Sequence, residues 1–180
     1  EKVLGLEAGY GFKSNMFSAN VNLYRTSWKD RVTTTSTTLA AATTIGTTNL
    51  NEGDLVYTTS QNDEQLHSGV EVDFVLRPLT GFDLKGFASV GNWQYKGNAT
   101  QRKFDENQNL LVEVNTDIDG GQVGDAAQTT WGLGAKYEIF KNFSIDADWR
   151  TYDKLYANVA ARKDNLELPS YDLVDAGISY

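Results

Sequence analysis

The feature that most constrains this chain is a strict alternation of apolar and polar side chains that recurs in seven segments. They cover approximately residues 3–12, 16–28, 68–77, 82–96, 127–140, 143–153 and 171–180. Because successive side chains of a β-strand point to opposite faces, a period of two predicts strands with one apolar and one polar face. Each segment is also long enough to cross a bilayer at a tilt, which takes about 9 to 11 residues.

One phase of these segments carries no charge in their central parts, although 22% of the chain is charged. In the first segment this phase reads Leu4, Leu6, Ala8, Tyr10, Phe12. Lipid contact explains the absence of charge, since a charged side chain at the bilayer midplane costs about 2 to 4 kcal/mol. A soluble β-sandwich gives the same alternation with its apolar face inward, so alternation alone does not choose between the two.

The connections between the segments favour the membrane barrel. The first, third and fifth are tight, at residues 13–15, 78–81 and 141–142, whereas the second, fourth and sixth are long, at 29–67, 97–126 and 154–170. Short periplasmic turns that alternate with long extracellular loops are typical of outer-membrane barrels, and a sandwich has no reason to sort its loops in this way. The sequence therefore predicts an antiparallel up-and-down transmembrane β-barrel.

The number of segments adds a second expectation. In a meander of seven antiparallel strands the first and the last run in the same direction, so they cannot pair with each other antiparallel. We therefore expect residues 1–180 to be one part of a larger barrel that continues toward the N-terminus and ends at the periplasm.

Composition and motifs argue against several other classes of function. The formal net charge of −8 and the lack of a basic stripe argue against a nucleic-acid partner. The chain has no cysteine, and His67 is its one histidine, so no thiolate site, His-pair metal site or histidine-based triad can form. Residues 105–116 begin like a calcium loop, but Leu110 and Thr116 stand where Gly and Glu are required. We expect no metal site, no cofactor and no enzymatic activity.

The long connection 29–67 contains a threonine-rich stretch of low complexity, at residues 32–53. Its composition is polar with small apolar spacers. We expect a mobile surface loop here, with packing over a pore or contact with a substrate as the alternative.

Five phrases of the sequence together resemble the last third of the barrel of TonB-dependent receptors of Gram-negative bacteria. They are GYGF at 9–12, WKDR at 28–31, HSGVEVDF at 67–74, VGDAAQTT at 123–130 and LPSYDLVD at 168–175. The resemblance spans essentially the whole chain, and 124–130 and 168–175 are its most specific parts. It implies a 22-stranded barrel closed by an N-terminal plug domain, of which residues 1–180 form the C-terminal segment without the plug and the earlier strands.

The resemblance also implies a function. Such a receptor is an active transporter of the outer membrane that takes up a scarce ligand, such as a ferric siderophore, a vitamin or an oligosaccharide. The TonB complex, reached through the N-terminal region, drives uptake with the inner-membrane proton gradient. The expected partners are therefore this complex, the plug, the ligand and outer-membrane lipid. The alternative hypotheses are a passive porin or adhesin-type barrel, and a soluble acidic β-sandwich that binds a ligand.

The polar phase of the strands supplies the candidate functional residues. Pairs such as Glu71 with Asp73 lie two residues apart on one strand face, a spacing that a glycosidase could use but that the lining of a barrel lumen also produces. We expect the polar phase to face the lumen, the plug or the ligand, and the candidates are Glu71, Asp73, Trp93, Tyr95, Asp146, Asp148 and Arg150.

Overall fold

The computed structural model describes residues 1–158 and 161–180. In that part of the chain no helix is long and apolar enough to cross a membrane. Its strands are β1 (Lys2–Lys13), β2 (Phe17–Thr38), β3 (Thr43–Ile45), β4 (Thr48–Leu50), β5 (Leu55–Leu79), β6 (Phe82–Lys96), β7 (Asn98–Phe104), β8 (Leu110–Asp117), β9 (Thr129–Phe140), β10 (Phe143–Asp153), β11 (Leu155–Tyr156), β12 (Glu167–Leu168) and β13 (Tyr171–Ser179).

The main sheet is an antiparallel meander in which the long strands follow one another in chain order. The order is β1-β2-β5-β6-β9-β10-β13. Two further strands extend the same sheet at one end, where β7 pairs with β5 and β8 pairs with β7. The predicted all-β, antiparallel, up-and-down fold is confirmed, and the seven predicted segments correspond to the seven strands of the meander.

The tight turns form where the sequence supplies residues that tolerate reversal of the chain. Between β1 and β2 the backbone N–H of Ser14 donates to the carbonyl of Phe17 at 2.7 Å. Between β5 and β6, Gly81 has φ +80°, and a Cβ at this position would lie 3.3 Å from the Cβ of Glu138. Asn142, between β9 and β10, has φ 67°, a left-handed conformation that asparagine tolerates better than most residues.

The structure differs from the sequence prediction in how far β2 and β5 extend. The alternation places their ends near residues 28 and 68, but β2 continues to Thr38 and β5 begins at Leu55. A bulge with Asp30 at φ 54° shifts the register, and beyond it residues 32–38, the first part of the threonine-rich stretch, pair with β5. Residues 43–45 and 48–50 of the same stretch pair with each other as β3 and β4. Most of the predicted surface loop is therefore regular strand. Threonine is β-branched and favours strands, but a segment that is polar on both faces gives no alternation to detect.

The two faces of the meander have opposite characters. The apolar face, formed by the uncharged phase, is largely exposed, with Leu4 at 65%, Tyr10 at 72% and Ile178 at 75% of their full accessibility. The polar face carries the acids, lysines and glycines. A cluster of buried apolar residues lies instead at one end of the sheet and consists of Tyr95, Ala99, Ile118 and Val123. A sheet that exposes its apolar face this widely needs an apolar environment on that side.

Pairs of aromatic rings lie at both ends of the apolar face. Near the tight turns, the ring centroids of Phe12 and Phe17 are 6.2 Å apart, and those of Phe82 and Tyr137 are 6.1 Å apart. Toward the opposite end, Trp131 and Trp149 meet edge to face at 4.6 Å. Aromatic girdles at the two interfaces are a feature of membrane barrels.

The described residues of the long connections, 29–67, 97–126, 154–158 and 161–170, are called the loop layer below. They include the extensions of β2 and β5, the hairpins β3–β4 and β7–β8, and the small sheet of β11 with β12. The loop layer lies at the end of the meander opposite the tight turns.

Candidate functional site

The polar face presents a band of charged and amide side chains that contact one another across the strands of the meander. On β2 and β5 the amide of Asn20 donates to the carboxylate of Asp73 at 2.9 Å. On β6 and β10 the ammonium of Lys85 lies 2.9 Å from the carboxylate of Asp148. The partners come from different strands, so the meander, and not local sequence, brings them together.

The same band continues across β10 and β13. Arg150 forms an ion pair with Asp175, and Thr151 donates to Asp172 at 2.6 Å. Asp146 lies in register between Lys136 of β9 and Gly177 of β13. These residues lie on strands, so their backbone positions are fixed by the ladder of hydrogen bonds.

A hollow of about 440 Å³ lies in the centre of the polar face. It forms because Gly132 and Gly134 carry no side chain there. A Cβ on Gly134 would overlap the carboxylate of Asp148 and lie 2.5 Å from Cε of Lys85. The glycine thus makes room for the Lys85–Asp148 ion pair to lie flat across the sheet. The residues that line the hollow are Asp73, Phe74, Val75, Lys85, Gly86, Phe87, Gly132, Leu133, Gly134, Asp148, Trp149 and Arg150.

Aromatic side chains form a second group on the polar face, at the end near the loop layer. The imidazole of His67 stacks on Trp93 with centroids 4.9 Å apart and meets Trp28 edge to face at 4.5 Å. The indole N–H of Trp93 donates to the hydroxyl of Tyr24 at 2.9 Å. Gly91 permits this approach, since a Cβ there would lie 2.8 Å from the indole nitrogen of Trp93.

The last long connection is attached to the extension of β5 by a buried ion pair. Nε of Arg162 lies 2.7 Å from the carboxylate of Asp63, and their side chains are 11% and 1% exposed. Asp63 also accepts a hydrogen bond from Ser60 at 2.6 Å. The guanidinium of Arg162 donates to the hydroxyls of Tyr95 at 3.1 Å and Thr33 at 3.0 Å, and lies 4.8 Å from the centre of the Tyr95 ring. One side chain of the last long connection therefore contacts β2, β5 and β6.

Close backbone packing supports the same attachment. A Cβ on Gly124 would lie 2.7 Å from the carbonyl oxygen of Asn158, and a Cβ on Gly121 would overlap the carbonyl of Arg162. The amide of Asn165 donates to the carbonyl of Gln122 at 3.1 Å. The last long connection is therefore pressed directly onto the one before it.

Exposed carboxylates of the loop layer are held ionised by local partners. The Lys163 ammonium lies 2.5 Å from Asp117, and its hydrogen bond lowers the pKa of that carboxyl. The pKa of Asp105 is lowered mainly by the side-chain amide of Asn109, with help from the backbone N–H groups of Asn109 and Asn107. The segment that begins like a calcium loop is thus a turn closed on its own aspartate. Among the described residues no group of three or more metal-binding side chains comes together.

The seven predicted site residues fall into three environments. Asp73, Asp148 and Arg150 line the central hollow; Glu71 and Asp146 stand on the same face, each in register with neighbours on both sides. Trp93 belongs to the aromatic group. Tyr95 lies under the loop layer at 1% exposure, so a ligand reaches it only if the loops move.

Sequence reasoning missed Asp63, Arg162 and the stacking of His67. Asp63 and Arg162 are 99 positions apart in the chain, and neither belongs to a period-two segment. An unpatterned charge in a long connection carries no local signal of its partner. His67 stands at the border of a predicted strand, and its aromatic neighbours come from two other strands.

Comparison with known proteins agrees with this arrangement. The model of the family described as TonB dependent receptor-like, beta-barrel matches residues 1–180. No curated protein and no solved structure matches the chain. The family serves transport across the outer membrane of Gram-negative bacteria and is a transporter family rather than an enzyme family. With its alternating strands, its exposed apolar face and a match over its whole length, the chain belongs to the TonB dependent receptor-like β-barrel family.

Proposed function

We propose that residues 1–180 form part of the wall of a TonB-dependent active transporter that takes up a scarce ligand. The observation that carries this proposal is the segregation of the sheet into an exposed apolar face and a charged face, in a chain that matches the receptor barrel family over its full length. The apolar face suits contact with lipid, and the charged face suits a wet interior.

The two kinds of connection support one orientation in the membrane within this proposal. The tight turns lie at the periplasmic end and the loop layer lies outside the cell, where it captures the ligand. Ferric siderophores, vitamins and oligosaccharides are the candidate ligands. In this orientation Glu71, Asp73, Asp146, Asp148 and Arg150 face the plug or the passing ligand.

The meander is part of a larger barrel in this proposal, and residues 1–180 form its C-terminal segment. In the described residues β1 pairs with β2 and β13 pairs with β10, so each has one free edge. Unpaired backbone groups are not tolerated in hydrocarbon, which supports further strands at these edges. A barrel of 22 strands with a plug domain provides them, and the plug carries the contact with the TonB complex.

Uptake measurements on the full-length receptor test the proposal. Cells that express it are grown on limiting iron, vitamin or oligosaccharide, with and without an intact TonB system and proton gradient. We expect accumulation that requires the receptor, TonB and the gradient together. Accumulation that persists without TonB indicates a passive pore, and a full-length protein that stays folded and monomeric without detergent refutes the membrane location.

The polar-face acids have their own test. Glu71→Gln with Asp73→Asn is compared with Lys13→Gln, which changes a charge in the last residue of β1, next to the tight turn. We expect the double substitution to change uptake or retention of the plug, because it removes two charges from the face that the plug contacts. Unchanged uptake together with unchanged plug retention removes these acids from any binding role.

A further inference from the structure

A hollow with three cations interrupts the apolar face near the loop layer. Its volume is about 370 Å³. We call it the basic hollow, and its lining consists of Lys2, Val3, Leu4, Leu6, Arg25, Ser27, Lys29, Glu64 and Leu66. The strand register arranges most of these side chains in rows across β1, β2 and β5, with Leu6 beside Arg25 and Lys2 beside Lys29.

The cations of the basic hollow differ in their pairing. Lys2 lies 2.8 Å from Asp30, and Lys29 lies 3.1 Å from Glu64. Arg25 is exposed, and its guanidinium has no ion pair or hydrogen bond to any residue that the structure describes. Three cations face two acids, so the hollow keeps an excess of positive charge, and that excess is centred on Arg25.

The position of the basic hollow along the strands places it at the edge of an apolar band. From the row of Phe12 to the row of Lys2, β1 advances by about 33 Å at roughly 3.3 Å per residue, which gives about 25 Å along the membrane normal at a tilt near 40°. That distance equals the height of the apolar band of a membrane barrel, about 25 Å. Lys2 and Lys29 therefore stand at the level of lipid headgroups, and Arg25 lies below them with a stem long enough to bring its guanidinium upward.

We propose that the basic hollow binds the phosphorylated headgroup of a lipid of the outer leaflet. Arg25 supplies the planar pair of donors that suits a phosphate, and Lys2 and Lys29 add mobile positive charge above it. The leucines of the hollow, at positions 4, 6 and 66, contact the acyl chain that hangs from the same headgroup. This inference rests on the membrane location and orientation proposed above and assigns one lipid contact to three named cations.

A phosphorylated lipid fits this surface better than a protein or a free anion. The open side of the hollow continues into the exposed apolar face, where Leu23 is 51% exposed and Leu6 is 60% exposed. A free phosphate makes no contact with that apolar face. A lipid contacts the cations through its phosphate and the apolar face through its acyl chain. An unpaired guanidinium beside hydrocarbon is costly, and a lipid phosphate is the anion available at that depth.

The test measures lipid retained by the full-length receptor after purification in mild detergent. The probe is bisphosphorylated lipid A, added to delipidated receptor and followed by native mass spectrometry and by the rise in unfolding temperature. Arg25→Gln is compared with wild type, Arg25→Lys and Lys13→Gln, the last of which removes one positive charge at the other end of β1. Dephosphorylated lipid A and inorganic phosphate serve as competitors.

We expect Arg25→Gln to weaken lipid A binding about fivefold or more, the change that corresponds to about 1 kcal/mol for one basic residue near an anionic surface. Arg25→Lys should recover part of the binding, and Lys13→Gln should match wild type. A normal shift between heated and unheated samples in gel electrophoresis shows that each variant has folded.

Three results overturn the inference. They are equal retention by Arg25→Gln and wild type, equal affinity for phosphorylated and dephosphorylated lipid A, and displacement of lipid A by millimolar inorganic phosphate. Uptake is measured in parallel, so TonB-dependent uptake with normal lipid retention in Arg25→Gln refutes the lipid site alone. Recovery of wild-type receptor outside the membrane fraction refutes the proposed function instead.

Discussion

Removal of the guanidinium of Arg162 is expected to release the last long connection from the rest of the loop layer while the strands stay folded. In Arg162→Met the carboxylate of Asp63, which is 1% exposed, loses its cationic partner and keeps the hydroxyl of Ser60. Breaking a buried ion pair from one side costs about 3 to 5 kcal/mol, because the remaining charge is left buried without compensation. The loss falls on the attachment of the loop, since neither residue lies in the part of the meander below the loop layer.

Hydrogen exchange of the full-length receptor in detergent measures this effect. A loss of about 3 kcal/mol from the local opening free energy corresponds to an increase of roughly 100-fold or more in the exchange rate of the affected amides. Peptides that cover residues 117–128 and 161–168 should show the increase, and peptides from β9 and β10 should not. Arg102→Met is the matched control, because Arg102 and Glu113 are 2.6 Å apart but 36% and 44% exposed. An exposed pair of this kind is worth about 0 to 1 kcal/mol.

A double substitution separates the ion pair from simple loss of packing. Arg162→Met combined with Asp63→Leu removes both charges, so no buried charge is left unpaired, and we expect exchange close to that of wild type. Unchanged exchange in Arg162→Met, or a double variant that opens as readily as the single one, would refute this role of the buried ion pair.

Three further expectations concern other parts of the molecule. Val21→Arg on the apolar face should lower the folded fraction in lipid vesicles by about 2 to 4 kcal/mol, whereas Asn22→Arg on the polar face should cost far less; equal yields of heat-modifiable protein would contradict the assignment of the faces. Gly132→Ala should lower stability by about 1 to 3 kcal/mol, because its Cβ would lie 2.6 Å from the carbonyl oxygen of Trp149 and 2.9 Å from Cε1 of Phe87. Gly5→Ala, whose Cβ meets only Thr26 at 3.7 Å, should be close to neutral in the same thermal unfolding experiment, and the expectation fails if both variants behave alike. Since the hydrogen bond from Lys163 lowers the pKa of Asp117, this contact is fully present above the ordinary aspartate pKa of about 3.9 and is lost as pH falls through the lowered value. A carbon NMR titration of labelled aspartate should show Asp117 ionised throughout about pH 5 to 8, and Lys163→Gln should raise its midpoint; an unchanged midpoint would show that the contact does not form.

The sequence alone determined the strands that lie below the loop layer. Their alternation is a local property, because each side chain of a strand faces the apolar or the polar side according to its own parity, and a lipid-facing position excludes charge wherever it occurs. For the same reason Glu71, Asp73, Asp146, Asp148 and Arg150 could be assigned to the polar face without knowledge of their partners. The sorting of short and long connections is equally visible in the linear order.

The tertiary structure decided what happens beyond the ends of that alternation. The threonine-rich extension of β2 becomes strand only because β5 lies beside it, and β7 joins the sheet by pairing with β5. The Arg162–Asp63 pair and the rows of the basic hollow depend on register between segments that are far apart in the chain. Such contacts produce no periodic pattern in the sequence, because each partner is a single charge. Its interaction depends on which residue the fold places next to it.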